Sequence, residues 1–257
     1  MPEKPDKGLV DFGLYSLAFG ENSKAINYNA IAFGRDNEAY GQYAFAAGRD
    51  NKAGYACFVL GGENEATGEQ SFIIGYKNKS SGANSFVSGR ENTASGMRSF
   101  ASGYQSTASG DHSFAFGQGA TASAECSLAI GYNVTASYKY ASALGCGTIS
   151  SGYASFAIGN VTEATGAHSF SNGKFTKAKG ESSFAIGQYG VAKGAYSYIE
   201  GYGTTESSHE ASGNYSHVEG RDNKATASGA HVGGRDSIAA GAYSFAHGYG
   251  LNANAEA

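Results

Sequence analysis

The sequence predicts an all-β fold, a solenoid of about 17 short coils with fourteen residues in each. Three observations support this prediction. A glycine that closes segments such as "SFAFG" (residues 113–117) returns at every fourteenth position along most of the chain. The residues before this glycine alternate between large and small side chains, as they do in a strand. A further glycine often follows seven residues later, which divides each coil into two segments of strand length.

The closing glycine, here called the anchor glycine, recurs at a spacing of fourteen residues, with one spacing of thirteen and one of nineteen. Only the first residues escape the pattern, so we expect an N-terminal tail (1–11) and one repeat domain (12–257). The spacing of nineteen predicts an irregular longer coil at residues 202–215. The anchor glycines are Gly20, Gly34, Gly48, Gly61, Gly75, Gly89, Gly103, Gly117, Gly131, Gly145, Gly159, Gly173, Gly187, Gly201, Gly220, Gly234 and Gly248.

The second glycine of a coil is seen at positions such as Gly96 and Gly110. Because glycine takes positive φ at little cost, we expect both glycines to mark sharp bends. The triplets "RDN" and "REN" that follow several anchors also suit turns, since Asp and Asn bond to nearby backbone. A helix is disfavoured, because glycine at every seventh residue would cost it about 1 kcal/mol each.

So short a coil leaves little room inside, and the position five residues after the anchor is almost always Ala or Ser. We therefore expect Ala, Ser and Gly to fill the interior, and the large residue three positions before the anchor to point outward. In register, these residues would form a stripe on the order of 2,000 Å², whereas a monomer usually exposes a patch of only a few hundred Å². Copies of the chain around one axis would cover the stripe, which predicts a closed cyclic oligomer. The predicted interface residues are Leu17, Ile31, Phe45, Phe58, Phe72, Phe86, Phe100, Phe114, Leu128, Phe156, Phe170, Phe184, Tyr198 and Phe245.

The segments "NSFVSGRENTASG" (84–96) and "SSFAIGQYGVAKG" (182–194) resemble the head repeats of trimeric autotransporter adhesins of the YadA type. The resemblance covers about residues 12–257, and it implies a left-handed parallel β-roll that assembles as a homotrimer around an apolar axis. The segment "YSHVEG" (215–220) resembles a variant, "SHAEG", of tail-fibre proteins of phages that infect Gram-positive bacteria. We expect the chain to depart from the adhesins, because its residues show no pattern of a signal peptide, a coiled-coil stalk or a membrane barrel.

Together these patterns predict a non-enzymatic trimeric fibre segment for host-surface attachment, in a phage or prophage tail fibre. One alternative is the head domain of a bacterial surface adhesin. An alternative of a different class is a tailspike-like glycan-processing or self-cleaving fibre protein whose active domain lies beyond this chain. The expected partners are further copies of the chain and a cell-surface glycan or protein receptor. The expected location is extracellular, on a virion tail or a cell surface. The chain ends within a repeat, at "NANAEA", which leaves open whether it is a fragment.

The composition argues against several other functions. The net charge is −4 and no basic stripe is present, which disfavours a nucleic-acid partner. No run of about 18 apolar residues occurs, so we expect no membrane insertion by this chain. Cys57, Cys126 and Cys146 lack the spacing of a zinc site or a disulfide framework and are predicted to be free thiols. We expect no cofactor.

The outward face turns polar towards the C-terminus. His217 and Glu219 share it with His231, and His247 follows in the next coil. Around a three-fold axis each of these residues would occur three times, and three imidazoles could bind a metal ion, or an anion when protonated. The alternative is a hydrated polar layer that fixes the register of the copies.

Two further groups of residues are candidates for binding. In the longer coil, Glu206, His209 and Glu210 could bind a cation, since loops often carry function, or they could belong to a plain surface bulge. Tyrosines that follow the anchor glycine could stack on glycans or pack at the bends. These are Tyr76, Tyr104, Tyr132, Tyr202 and Tyr249.

Overall fold

The structure is a computed structural model that describes residues 13–254. Every regular element in that range is a β-strand, which confirms the predicted all-β fold. The chain divides into two compact units, residues 1–126 and 127–257. The described residues form eight coils in the first unit and nine in the second, and thus the predicted 17. The predicted tail, residues 1–11, lies outside the described residues.

Each coil contains one strand at or just before the anchor glycine, here called the long strand, and then a second strand, here called the short strand. In the first unit these are β1 (Leu17–Phe19), β2 (Lys24–Ala25), β3 (Ile31–Arg35), β4 (Glu38–Ala39), β5 (Phe45–Arg49), β6 (Lys52–Ala53), β7 (Phe58–Gly62), β8 (Glu65–Ala66), β9 (Phe72–Tyr76), β10 (Lys79–Ser80), β11 (Phe86–Arg90), β12 (Thr93–Ala94), β13 (Phe100–Tyr104), β14 (Thr107–Ala108), β15 (Phe114–Gln118) and β16 (Thr121–Ala122).

In the second unit the strands follow the same order. They are β17 (Leu128–Tyr132), β18 (Thr135–Ala136), β19 (Ser142–Cys146), β20 (Ile149–Ser150), β21 (Phe156–Asn160), β22 (Glu163–Ala164), β23 (Phe170–Lys174), β24 (Lys177–Ala178), β25 (Phe184–Gln188), β26 (Gly190–Ala192), β27 (Tyr198–Tyr202), β28 (His209–Ala211), β29 (His217–Val218), β30 (Lys224–Ala225), β31 (His231–Arg235), β32 (Ile238–Ala239), β33 (Phe245–Tyr249) and β34 (Asn252–Ala253). The extra residues of the longer coil lie between β27 and β28.

Within each unit, a strand pairs in parallel with the equivalent strand of the next coil. Phe86 of β11 lies opposite Phe100 of β13, and Thr93 of β12 lies opposite Thr107 of β14. Long strands therefore form one parallel sheet and short strands another. Equal positions in successive coils line up in columns, so the repeat in the sequence becomes a set of columns on the surface and in the core.

The core lies between the two sheets and contains mostly small residues, as predicted. Ala101 in a long strand and Ala108 in a short strand are fully buried. The prediction that only Ala, Ser and Gly fill the interior was too narrow, because Val59, Ile73 and Val87 are also fully buried. Each of these larger side chains is the second residue of its long strand.

A ladder of buried asparagines runs through the first unit, three residues after the anchor. Asn51 donates from Nδ2 to Oδ1 of Asn37 (2.9 Å) and to the carbonyl oxygen of Gly61 (2.8 Å). Its own Oδ1 accepts hydrogen bonds from the backbone nitrogen (3.1 Å) and Nδ2 (2.9 Å) of Asn64. The sequence predicted that these asparagines bond to nearby backbone, as Asn51 does to the carbonyl oxygen of Ala47 (3.0 Å), but it did not predict that they are buried and bond to one another. The ladder consists of Asn37, Asn51, Asn64, Asn78 and Asn92.

The two glycines of a coil have different roles. The anchor Gly103 has a φ of 115°, and a Cβ there would overlap the carbonyl oxygen of Gly117 in the next coil. Gly96 does not have positive φ, yet a Cβ on it would overlap the carbonyl oxygen of Gly110. The second glycine lies at a bend, as predicted, but it is required by the close approach of neighbouring coils and not by positive φ. Residues other than glycine, such as Asp50 with φ of 55°, take the left-handed conformation at the bends.

Candidate functional site

The predicted interface residues of the first unit form one continuous column, here called the outer column, on the surface of the long-strand sheet. It contains every residue three positions before an anchor glycine. Six phenylalanines, Phe45 to Phe114, stack face to face with ring centroids 4.4 to 5.2 Å apart and interplanar angles of 3 to 8°. Their side chains are half-buried, whereas the residue that directly follows each of them in the strand is buried. The large residues therefore point outward, as the alternation predicted.

A second apolar column, one residue before each anchor, lies beside the outer column. Phe19 is 72% exposed and Phe116 is 48% exposed, and Leu60 and Ile74 lie between them in the same column. Sequence reasoning placed this position on the outward face but did not include it in the predicted interface. Segments such as "FAF" carried the signal. The two columns together form what we call the apolar face.

The phenylalanines of the outer column from Phe45 to Phe114 are only partly exposed, whereas the sequence estimate of about 2,000 Å² counted whole side chains. Neighbouring rings in the outer column cover one another's faces within the chain, so mainly their edges remain exposed. Two serines interrupt the second column, and they are paired, since the hydroxyls of Ser88 and Ser102 lie 2.7 Å apart. The apolar face of the first unit is thus interrupted by this one pair of serines.

The outer column of the second unit is apolar in its middle and polar at its end. Phe156, Phe170, Phe184 and Tyr198 stack with centroid distances of 4.7 to 5.6 Å. The column continues through His217 and His231, whose rings stack at 4.4 Å, to Phe245. Ser142 is a further polar residue in it.

The four polar candidates predicted near the C-terminus come together on this face. Ligand atoms of His217, Glu219 and His231 all lie within 4.8 Å of one another. Oε1 of Glu219 is 3.9 Å from Nε2 of His231 and 3.6 Å from Nδ1 of His247. The Nε2 atoms of His217 and His231 are buried and have no hydrogen-bond partner among the described residues.

The electrostatics of this cluster follow from burial and close charges. Burial lowers the pKa of His231, the nearby His217 lowers it further, and Glu219 opposes both effects. Beside it, the hydroxyl of Tyr198 donates to Oε2 of Glu200 (2.6 Å), which together with burial raises the pKa of Tyr198 to about 12. Polar groups therefore continue from Tyr198 to His247.

The cation site predicted in the longer coil is not assembled. Glu206 pairs with Lys177 (3.3 Å), and Glu210 pairs with Lys193 (2.8 Å). His209 is fully buried instead, and its Nδ1 accepts a hydrogen bond from the backbone nitrogen of Asn223 (3.2 Å). The proton of this imidazole is then on Nε2, which donates to the carbonyl oxygen of Glu200 (2.9 Å). These three residues have separate structural roles.

The loop of the longer coil is held by Asp222. Its Oδ1 accepts hydrogen bonds from the backbone nitrogen (2.7 Å) and the hydroxyl (2.9 Å) of Thr204. Burial by itself raises the pKa of this carboxyl, but the hydrogen bonds from Ser208, Thr204 and Arg221 outweigh it and lower the pKa to about 2. The ionised carboxylate therefore stabilises the loop.

Several of the predicted glycan-stacking tyrosines already contact arginines of their own chain. The Arg90 guanidinium lies 5.9 Å from the ring centroid of Tyr76 and 5.6 Å from that of Tyr104. Arg221 and Arg235 contact Tyr202 and Tyr249 in the same way, at 5.5 Å each. Tyr132 is 49% exposed. Cation–π contacts thus account for four of the five tyrosines.

A separate aromatic cluster at the bends of the second unit was missed by sequence reasoning. The ring of Tyr153 meets Tyr138, Tyr140 and His168 edge to face at 5.3 to 6.3 Å. The repeat offered no signal for it, because these residues occupy bend positions where the residue type varies.

Cys57, Cys126 and Cys146 are free cysteines, as predicted. Among the residues that the structure describes, no helix is long and apolar enough to cross a membrane.

The fold and the apolar face define a class of protein, the parallel β-solenoids with short repeats. The family model of the YadA head domain repeat, which spans two copies, matches six segments: 13–37, 25–51, 80–106, 94–120, 108–133 and 164–189. The matched repeats are therefore similar to the YadA head repeat, and the resemblance found in the sequence is confirmed. No curated protein matches the chain.

YadA head repeats are structural repeats of adhesin-type head domains and not enzymes. The match favours the adhesin head, which was the alternative in the sequence analysis, over the phage tail fibre.

Proposed function

We propose that this chain forms a homotrimeric, adhesin-type head that attaches to a host surface, with the apolar face of each protomer buried in the trimer. The observation that carries the proposal is the continuous outer column of the first unit, from Leu17 to Phe114. Leu17 is 51% exposed, and the edges of the stacked rings are open to solvent. No other part of the described chain covers this column.

The energy available from covering the apolar face is large. Burying a few hundred Å² of apolar surface per protomer would contribute on the order of 10 kcal/mol gross. Stacking has already ordered the rings of the outer column, so little side-chain entropy remains to be lost on association. Three copies are favoured because heads built from YadA-type repeats form homotrimers.

The receptor is proposed to be a cell-surface glycan or protein, bound outside the apolar face. Heads of this type generally bind host surfaces, which supports an extracellular location at a cell surface. In the trimer, the surface left open is the short-strand sheet and the bends. That surface carries alternating charges in the first unit, such as Glu38, Lys52 and Glu65, and aromatic residues at bends in both units.

The trimer is tested by placing charge in the outer column. Replacing Phe72, Phe86 and Phe100 with Asp would bring nine carboxylates together, and each unpaired buried charge costs several kcal/mol. The matched control replaces Thr93, Thr107 and Thr121 with Asp, which adds the same charge to the short-strand sheet of the same unit. Native mass spectrometry and light scattering should give trimers for the unaltered chain and the Thr variant, and smaller species for the Phe variant.

Circular dichroism of each variant separates loss of assembly from loss of folding. A monomeric unaltered chain, or a Phe variant that stays trimeric with an unchanged spectrum, would contradict the proposed interface. If the Asp variant does not fold, the milder replacement of the same phenylalanines with Ser serves as the second test, with the same expected loss of trimer.

A phage tail fibre is the second candidate, and one specific observation favours it. The segment "YSHVEG" (215–220), which resembles phage tail-fibre repeats, lies outside the six segments that match the YadA model. The fluorescently labelled trimer should distinguish the two candidates in parallel binding assays. An adhesin head should bind animal cells or extracellular matrix. Binding confined to bacterial cells would favour the tail fibre, and binding to neither surface would contradict attachment by this chain.

A further inference from the structure

The polar end of the outer column combines residue types that are unusual on an apolar face. His217 and His231 occupy positions where most coils have Phe, and their rings stack at 4.4 Å. Glu219 lies in the second column beside them, and His247 follows two coils later in that column. The cluster thus contains three imidazoles and one carboxylate from three successive coils.

The nitrogens of this cluster lack the partners that buried polar groups normally have. Nε2 of His217 and Nε2 of His231 are both shielded from solvent, and neither has a hydrogen-bond partner among residues 13–254. Leaving a buried donor or acceptor unpaired costs about 1–3 kcal/mol. A ligand that bound both nitrogens and the neighbouring carboxylate would remove this cost.

Gly233 opens the space in which the cluster meets. It lies between Glu219 and His247 in the second column, where other coils have residues such as Ile and Leu. A Cβ on Gly233 would overlap Nδ1 of His247 and would lie 2.7 Å from Oε1 of Glu219. Its lack of a side chain therefore lets the carboxylate and the imidazole approach to 3.6 Å.

We propose that His217, Glu219 and His231 bind a divalent transition-metal ion of the zinc type, with His247 as a fourth ligand. Two or three imidazole nitrogens and one carboxylate are a set that Zn²⁺ accepts in four-coordinate sites. A hard cation such as Ca²⁺ or Mg²⁺ prefers an all-oxygen set, which this cluster does not offer.

The geometry needs only side-chain adjustment to reach coordination distances. Ligands of tetrahedral zinc lie about 2.0–2.1 Å from the metal and hence about 3.3 Å from one another. Ligand atoms of His217, Glu219 and His231 now lie within 4.8 Å, and the ion pair of Glu219 with His247 spans 3.6 Å. Rotation of the rings and the carboxylate by about 1 Å at their ends closes the difference, while the backbone register of β29, β31 and β33 stays fixed.

The ligand set comes from one chain, so zinc binding does not require the proposed trimer. All four residues lie within the second unit of a single protomer. In a trimer the cluster would occur three times, and each copy would have its own ligand set.

The full chain is first freed of metal with a chelator. It is then titrated with ZnCl₂, and isothermal titration calorimetry measures the heat of binding. We expect one zinc ion per chain, and Co²⁺ in its place should give the visible absorption of a four-coordinate nitrogen and oxygen site. His231→Ala should weaken zinc binding by more than about 100-fold, since changes one shell further out already cost about 10- to 100-fold. The matched control His168→Ala removes a histidine outside the cluster and should leave the titration unchanged.

Two further variants cover a failure of His231→Ala to fold. Glu219→Gln keeps the size of the side chain and should also abolish tight zinc binding. Gly233→Ala should also weaken binding, because its Cβ would displace both the imidazole of His247 and the carboxylate of Glu219.

Absence of zinc binding, or equal binding by the His231 and His168 variants, would overturn the inference and leave a structural polar layer. Light scattering on the same samples separates the two proposals. A trimer that binds no zinc contradicts this site alone, and a monomer that binds zinc contradicts only the proposed assembly.

Discussion

Removing one member of the buried asparagine ladder should destabilise the neighbouring coils strongly. Asn51 is the most informative member, because it is fully buried and has ladder neighbours on both sides. Replacing it with Ala keeps the backbone and removes only the amide. The side chain makes its contacts inside the first unit, so the effect should appear there.

The size of the effect follows from the hydrogen bonds that are lost. The backbone nitrogen of Asn64 loses its acceptor at 3.1 Å, and the carbonyl oxygen of Gly61 loses a donor at 2.8 Å. A buried group left unpaired costs about 1–3 kcal/mol, and a lost hydrogen bond otherwise costs about 1 kcal/mol. A net loss of about 3 kcal/mol is expected, which is roughly a 100-fold change in an equilibrium constant.

Native-state hydrogen exchange measures this loss locally. The backbone amide of Lys52 reports on the coil of Asn51 itself and that of Glu65 on the next coil, since their bonds to the carbonyl oxygens of Asn64 and Asn78 are not themselves altered. They should exchange roughly 100-fold faster in Asn51→Ala, by the conversion used above. The matched control is Asn160→Ala, which removes an exposed amide at the end of β21 and should change exchange less than threefold or so.

Unchanged exchange at Lys52 and Glu65 would refute the reasoning that the ladder stabilises the coils. Equal acceleration by Asn160→Ala would refute it as well, because an exposed amide should not matter. Acceleration confined to Asn64 itself would mean that the lost bond is local and that coils do not depend on one another.

Two further predictions concern the close packing of coils and the longer coil. Gly96→Ala should lower the free energy of unfolding by at least about 2 kcal/mol, measured by thermal unfolding, since its Cβ would overlap the backbone of Gly110. Gly190→Ala should be tolerated, because the nearest atoms to its Cβ would lie 3.6 Å away. Equal loss in both variants would contradict the packing argument. The Asp222 carboxylate, with its pKa lowered to about 2, should stabilise the loop at residues 203–208 by roughly 2 kcal/mol above pH 4, and this contribution should disappear as the pH falls through about 2. Asp222→Asn should therefore speed hydrogen exchange of the loop at pH 7 and differ little from the unaltered chain near pH 2, and a difference that does not depend on pH would contradict the assignment.

The spacing of glycines and the alternation of side chains were enough to predict the architecture. Once the anchor at Gly103 sets the register, Phe100 must point outward and Ala101 inward, and both expectations are confirmed. The same register placed His217, Glu219 and His231 together on one face before their distances were known. A repeat protein allows this because a residue's place in the period determines its neighbours in space.

The sequence could not predict features that depend on contacts rather than on period. "RDN" is a good turn triplet, but only its Asp takes the left-handed conformation, as Asp36 does with φ of 55°. The following Asn37 turns inward, because the interior contains backbone carbonyls that need donors. The longer coil departs from the period, so nothing in the pattern predicted that His209 would be buried while Glu206 and Glu210 pair with separate lysines.

Within a coil, the residues that stabilise the fold are different from those that point outward. Small residues, the asparagine ladder and closely approaching glycines satisfy the backbone inside each coil, and they do so whatever side chain points outward. Phe156 and Ser142 occupy the same position in neighbouring, paired strands of the second unit, as do Phe245 and His231. The outward positions are therefore free to change without loss of the fold. A change there alters what the face can contact, from an aromatic stack to a cluster of imidazoles, and it is on that face that differences in assembly and ligand binding should be sought.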